Sequence, residues 1–356
     1  MSSSDLLVLA QDARFGGGAQ AQLDAFLEAA RALGRRPVTT SAGYLPGLDA
    51  LNQLRGGHRL RGAAAGARSL WVVAPTASYG VAAARSGRPY ACWLATSFAD
   101  EWPARIPHLP RARAAAHALN APLLLRLERT VLERAARLYG TSPSSRAAIA
   151  AAAGLRDDEV AILPLPVDPE RYSPEPDDAW VRRLQRPTVV FVGRADDPRK
   201  NAGLLLEAWP LLHREQPDAR LVLVGTPPAT PVSRGVEVRG EVADVAAELR
   251  PAALLVLPSW QEGFGIVAAE ALACGVPVLT TPSGGPEHLV RTSGGGEVLG
   301  GFDATELATA AAALLRDPDR LLRMRHNGRD HILREHSPQR LLTLLAPALA
   351  ELDPDG

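Results

Sequence analysis

The stretch PSWQEGFGIVAAEALACGVPVLTT (residues 258–281) decides the reading of this chain. An apolar strand over 253–257 leads into it, and a second, over 276–280, leads out. Gly263 and Gly265 leave the backbone bare where a helix begins. The N–H groups of a helix mouth, together with the helix dipole, favour an anion there. Gly275 sits where a helix end takes a left-handed residue, and Pro277 forbids continuation. Two carboxylates, Glu262 and Glu270, stand eight residues apart around this turn. If the steps between them are mostly helical, they lie roughly 12 Å apart. A glycosidase acid–base pair needs roughly 5 to 9.5 Å. The pair is therefore better suited to gripping two ends of one long ligand, with an anion between them, than to sharing one bond. A surface loop glutamate beside a solvated helix glutamate is the plain alternative.

A second feature lies upstream, in TVVFVGRADDPRKN (residues 188–201). Lys200 is the sole lysine among 39 basic side chains. It follows Arg194 by six residues, just past an apolar strand over 188–192. Arginine offers a flat fork and lysine a compact point charge, so the two are not interchangeable around a phosphate.

Taken together, these segments resemble the GT4 family of retaining glycosyltransferases. The match runs through Gly193-Arg194 with Lys200, then Glu262-Gly263-Phe264-Gly265 with Glu270, an E-x7-E signature in strand–helix–strand context. It is clear over about residues 188–299 and weaker over the first 165. The resemblance implies a GT-B fold: an α/β protein of two Rossmann-like domains facing across a cleft. It also implies that Arg194 and Lys200 hold a nucleotide diphosphate and neutralise charge on the leaving phosphate. Glu262, with the amides of Gly265 and Ile266, would contact the donor sugar, and Glu270 the ribose. No metal and no resident cofactor is expected; a nucleotide-diphosphate sugar would be the co-substrate. A hexosyl group would pass to an acceptor whose identity (glycan, lipid or small metabolite) the sequence leaves open. A sugar-nucleotide-binding protein without activity, or a phosphorylase or epimerase on the same fold, are the alternatives.

Length and pattern agree with two domains. Strands are expected over 6–10, 37–40, 69–74, 89–95 and 138–140, with helices over 19–33 and 111–138, the latter broken or restarted at Pro122. Alternation of this kind implies parallel sheets covered by helices. The expected organisation is an acceptor-side domain over 1–165 and a proline-rich linker over 166–187. A nucleotide-sugar-binding domain over 188–336 follows, then a terminal helix over 337–356 returning to the first domain. Gly17 and Gly18 follow the first strand, where open α/β sheets bind ligands. The resemblance turns this loop towards the donor diphosphate. A dinucleotide fingerprint would want an acid after the second strand, but residues 38–41 read VTTS. Members of the family often carry a histidine near the reacting sugar. The corresponding stretch here, WLATSFADEW (93–102), has none.

Formal charge is balanced at 39 basic against 39 acidic residues, which gives no bulk attraction to nucleic acid. Cys92 and Cys274 sit in apolar surroundings and read as small buried residues of a reducing compartment. No apolar span is long enough to cross a bilayer, and no charged region precedes the N-terminal apolar stretch. Neither a membrane helix nor a secretory leader is therefore expected. The expected location is cytoplasmic. The arginines at 126, 129, 134 and 137 allow weak peripheral contact with an anionic membrane, diluted by Glu128 and Glu133 on what reads as a solvated face.

Overall fold

The structure, a computed structural model, describes residues 6–11, 17–41, 49–109, 111–228 and 230–352. The chain divides into two compact units, one of residues 1–166 with 338–356 and the other of residues 167–337.

The first unit holds a six-stranded sheet in the order β2-β1-β3-β4-β5-β6. Its strands are β1 (Leu6–Ala10), β2 (Pro37–Thr40), β3 (Ser69–Ala74), β4 (Ala91–Leu94), β5 (Arg137–Gly140) and β6 (Ala161–Ile162). All neighbouring pairs are parallel. Strands buried on both faces need no polar alternation, and β1, β3 and β4 are accordingly buried along their whole length. The helix Arg111–Arg134 continues through Pro122, where a break or restart is expected from sequence. The helix Pro338–Ala350 packs on the helix Gly17–Ala32, and Glu351 pairs with Arg137.

The second unit holds another six-stranded parallel sheet, in the order β12-β11-β10-β7-β8-β9. Its strands are β7 (Thr188–Val192), β8 (Arg220–Val224), β9 (Val236–Gly240), β10 (Leu254–Leu257), β11 (Val278–Thr280) and β12 (Gly296–Val298). The first strand of the unit, β7, lies between β8 and β10, so the winding reverses between β7 and β10. An open α/β sheet binds ligands outside the carboxyl ends of its strands at such a reversal. Both signature segments of the sequence leave the sheet there: residues after β7 run to Lys200, and residues after β10 run to Gly265.

The stretch 167–187 is packed structure and belongs to the second unit, which corrects its reading as a linker. Trp180, on the helix Asp177–Arg183, is fully buried among Val189, Phe191 and Leu254. Its indole donates to the Ala252 carbonyl at 2.8 Å. Prolines that read as a tether instead shape a strap whose aromatic residues fill the core.

Candidate functional site

Asp197 builds the turn that carries Lys200. Its carboxylate caps the short helix Pro198–Lys200 by accepting from the Arg199 amide at 3.1 Å and takes the Arg194 guanidinium at 2.6 Å. The amide of Gly193 donates to the Val224 carbonyl at 2.8 Å, closing the end of β7 against β8. The turn is tied to the other signature segment by the Trp260 amide, which donates to the Arg199 carbonyl at 2.9 Å.

Across this tie, Lys200 Nζ donates to Glu262 Oε1 at 2.5 Å. Ser259 Oγ donates to the same oxygen at 2.9 Å. Glu262 is 7% exposed. Burial alone would push its carboxyl up. The nearby charges of Lys200 and Arg199 and the two hydrogen bonds outweigh that and hold it below the usual carboxylate range. The resemblance assigns Lys200 and Glu262 to different parts of one ligand. The structure adds that the two are partners of each other.

The loop after Glu262 is locked backbone to backbone against the loop before the helix Gly285–Ser293. The Glu262 amide donates to the Ser283 carbonyl at 2.7 Å, and the Gly285 amide to the Glu262 carbonyl at 3.0 Å. Gly265 has φ +75°, and a Cβ there would come within 2.4 Å of the Pro286 ring. The position thus requires glycine on both conformational and steric grounds. Gly263 presses its carbonyl towards Gly285. Phe264 is buried, with its ring 5.2 Å from that of His336. Ile266 opens the helix Ile266–Ala273. Only the steps from Ile266 onward are helical, so a separation reckoned on a mostly helical Glu262–Glu270 spacing does not apply to the first half of that spacing.

Glu270 is half-buried on this helix, and burial pushes its carboxyl up to about 7, against the pull of the Tyr172 hydroxyl and the Arg171 charge. At the helix end, Gly275 has φ +67°, as expected of a left-handed cap. The guanidiniums of Arg325 and Arg329 cover the last carbonyls: Arg325 donates to Gly275 at 2.9 Å and Arg329 to Ala273 at 2.7 Å. Cations at a helix C-terminus complement its dipole.

Arg194, Lys200, Glu262, Gly193, Gly263, Phe264, Gly265, Ile266 and Glu270 all belong to the second unit, around the carboxyl ends of β7 and β10. Gly17 and Gly18 belong to the first unit, exposed at the head of the helix Gly17–Ala32. Gly16, which precedes them in the sequence, lies outside the described residues. Sequence reasoning did not single out Ser259, Asp197, Arg199 or Tyr172. Asp197 carries a local signal, an aspartate before proline at a turn, and Ser259 stands only three residues before the Glu262 it donates to; the influence of Arg199 on Glu262 and of Tyr172 on Glu270 is long-range.

In the first unit Glu128 does not lie on a solvated face. It is 1% exposed, and its carboxylate accepts from the Phe98 amide at 2.8 Å and the Ala99 amide at 3.3 Å. It thereby reinforces the Ser97 cap of the helix Phe98–Arg105, just past the carboxyl end of β4. Burial pushes this carboxyl up to about 7 despite those donors. Of the arginines on the same helix, Arg129 pairs with Glu133 at 2.7 Å and Arg134 donates to the Ala84 carbonyl at 3.0 Å. Among the described residues no helix is long and apolar enough to cross a membrane. Both cysteines are buried and unpaired with each other.

Residues 186–317 match the family model described as "Glycosyl transferases group 1". The chain is 34% identical over 175 residues to the D-inositol 3-phosphate glycosyltransferase of Thermobispora bispora, covering 42% of this chain and 41% of that one. It is 36% identical over 197 residues to the GDP-mannose-dependent alpha-(1-6)-phosphatidylinositol monomannoside mannosyltransferase of Mycolicibacterium smegmatis, covering 47% and 50%. The chain thus spans about half the length of these curated relatives. Among solved structures it is similar to HepE of Anabaena in complex with UDP-glucose. The TM-score is 0.75 at 19% identity, over 98% of this chain and 100% of that one. At that identity the likeness shows the fold, which is that of the GT-B glycosyltransferases.

Proposed function

We infer, from the match of residues 186–317 to the model of the group 1 glycosyl transferases, that the protein transfers a hexosyl group from a nucleotide-diphosphate sugar to an acceptor with retention of configuration. The observation that carries this reading is the Lys200–Glu262 pair beside the glycine-locked mouth of the helix Ile266–Ala273. Fixed cations and oriented amides aimed at a leaving phosphate stabilise charge that develops in the transition state. Arg194 and Lys200 supply the cations on this reading, in the role a divalent metal plays elsewhere, and the amides of Gly265 and Ile266 assist. Lys200 would then be shared between Glu262 and the phosphate. Glu262, held ionised by its neighbours, accepts from hydroxyls of the donor sugar. Glu270 accepts from the ribose.

Retention needs no protein nucleophile on this account. The sugar–phosphate bond breaks, the leaving oxygen keeps the electron pair, and that oxygen takes the proton of the acceptor hydroxyl as it attacks the same face. The likeness to HepE, solved with UDP-glucose, and to a GDP-mannose-dependent relative supports a nucleotide-sugar donor. The acceptor is read by the first unit. Contact with an anionic membrane through the arginines of the helix Arg111–Arg134 is part of the proposal, weakened by the internal partners of Arg129 and Arg134.

The test is incubation with a panel of UDP- and GDP-sugars, with and without candidate acceptors, while released nucleoside diphosphate is measured. Acceptor-dependent release is expected. Tight nucleotide binding with no release under any condition would point to a binding protein and overturn the enzymatic reading.

A further inference from the structure

We propose that His336 is a positioning residue of the donor site: its ring seats Phe264, and through Phe264 it sets where the mouth of the helix Ile266–Ala273 stands. The inference rests on the reading of that mouth as the holder of a diphosphate and extends it to a residue far outside the signature motif.

The mouth is built from Glu262, Gly263, Phe264 and Gly265, two of which carry no side chain. The Glu262 carboxylate is engaged by Lys200 and Ser259. Its backbone bonds to Ser283 and Gly285 hold the start of the turn. Beyond them, the Phe264 ring is the one apolar anchor ahead of the Gly265 and Ile266 amides. It is 6% exposed, and the His336 ring lies 5.2 Å from it at an interplanar angle of 51°. Aromatic pairs at this spacing and tilt attract each other beyond the area they bury.

His336 is itself fixed through both backbone groups. Its amide donates to the Ile332 carbonyl at 2.9 Å, closing the helix Pro318–Glu335, and its carbonyl accepts from the Val167 amide at 2.8 Å. His331, on the same helix, places a second ring 5.7 Å from that of His336. The helix that ends at His336 is also the one whose Arg325 and Arg329 hold the far end of the helix Ile266–Ala273. One helix thus braces the other at both ends, with two guanidiniums on its last carbonyls and one imidazole on the residue that leads into its first turn. The lengths agree. The eight residues of the braced helix rise about 12 Å, and the seven steps from Arg329 to His336 rise about 10 Å. The far end is held by charged hydrogen bonds and the mouth end by a ring contact, so a change at His336 falls on the mouth.

Titration calorimetry of the full chain with UDP against UMP, and with GDP against GMP, tests this. The affinity advantage of a diphosphate over its monophosphate reads the helix mouth and cancels the contribution of the base. His336→Ala and His336→Gln should shrink that advantage roughly three- to tenfold, the range that one ring pair supplies, with monophosphate affinity close to that of the wild type. His336→Phe, which restores a ring of similar size, should keep the wild-type advantage. In a Phe264→Leu background the loss of the His336 ring should add little, because the two act as one unit. Thermal melts establish that each variant is folded at the titration temperature, and glutamine serves where alanine does not fold. An undiminished diphosphate advantage in His336→Gln, or a His336→Phe variant no better than the glutamine one, would overturn the proposal while leaving the function intact. A wild type with no preference for the diphosphate would bring down both.

Discussion

Replacing Lys200 by alanine removes the cation from a carboxylate that is already out of water, so the change should cost stability as well as rate. Glu262 is 7% exposed and Lys200 lies 2.5 Å from it. Breaking a fully buried pair from one side costs about 3–5 kcal/mol. Here the Ser259 hydroxyl and the Arg199 charge remain, and Glu262 can take a proton, which brings the expected loss to about 2–3 kcal/mol. For a unit the size of residues 167–337 this is a fall of roughly 5–10 °C in melting temperature. In the wild type the Glu262 carboxyl is depressed in the fold. Its contribution is therefore present above its unfolded value of about 4.3 and fades as pH falls through the folded value. Without Lys200 the burial effect is left less opposed and the carboxyl rises, so ionisation now costs stability. The deficit of the variant should be widest at neutral pH and shrink as pH falls towards about 5. Thermal melts of wild type, Lys200→Ala and Lys200→Ala/Glu262→Gln at several pH values read this out. The double variant should regain most of the stability and none of the turnover, which should stay down about 10²- to 10³-fold. A single variant as stable as the wild type at neutral pH, or a double variant no better than the single, would contradict this electrostatic picture.

Three further outcomes follow from the same geometry. Nucleotide affinity should rise as pH passes upward through about 7, where the Glu270 carboxyl ionises and can accept from a ribose. Glu270→Gln should flatten that part of the profile in calorimetry. Glu128→Ala should destabilise the first unit by about 1–2 kcal/mol in urea unfolding, because the Phe98 and Ala99 amides lose their acceptor in the interior. Gly265→Ala should cost about 1–2 kcal/mol for the left-handed backbone alone, and more for the clash with Pro286. It should also weaken nucleotide binding by displacing the helix mouth; a neutral melt would contradict the packing.

The fold is legible in the sequence because parallel strands buried on both faces are short apolar runs. The strands β1, β7 and β10 read as such without tertiary information. The helix Pro143–Ala153 is legible too, through Ser142 as its cap and Pro143 at its first position. The edge strand β12 is not: GEV is half-buried and carries no apolar run. The strap reads as a linker because six prolines in 164–187 speak of local backbone, while the burial of Tyr172 and Trp180 is a property of what they pack on. In the site, residue types and spacing point to Lys200, Glu262 and Glu270 individually. That Lys200 grips Glu262 across the sequence is a consequence of adjacent strand ends in the sheet order, which no local pattern encodes. Glu128 eludes the sequence for a related reason: a charge on a helix reads as solvated until buried amides of another segment are found to need it.

A crystal structure of the protein with a nucleoside diphosphate bound probes the site itself. Phosphate oxygens are expected within hydrogen-bond reach of Lys200 Nζ and of the Gly265 and Ile266 amides, with Arg194 turned towards them and the ribose on Glu270. A diphosphate seated elsewhere, with the Lys200–Glu262 pair undisturbed and the helix mouth empty, would contradict the proposed function at its root.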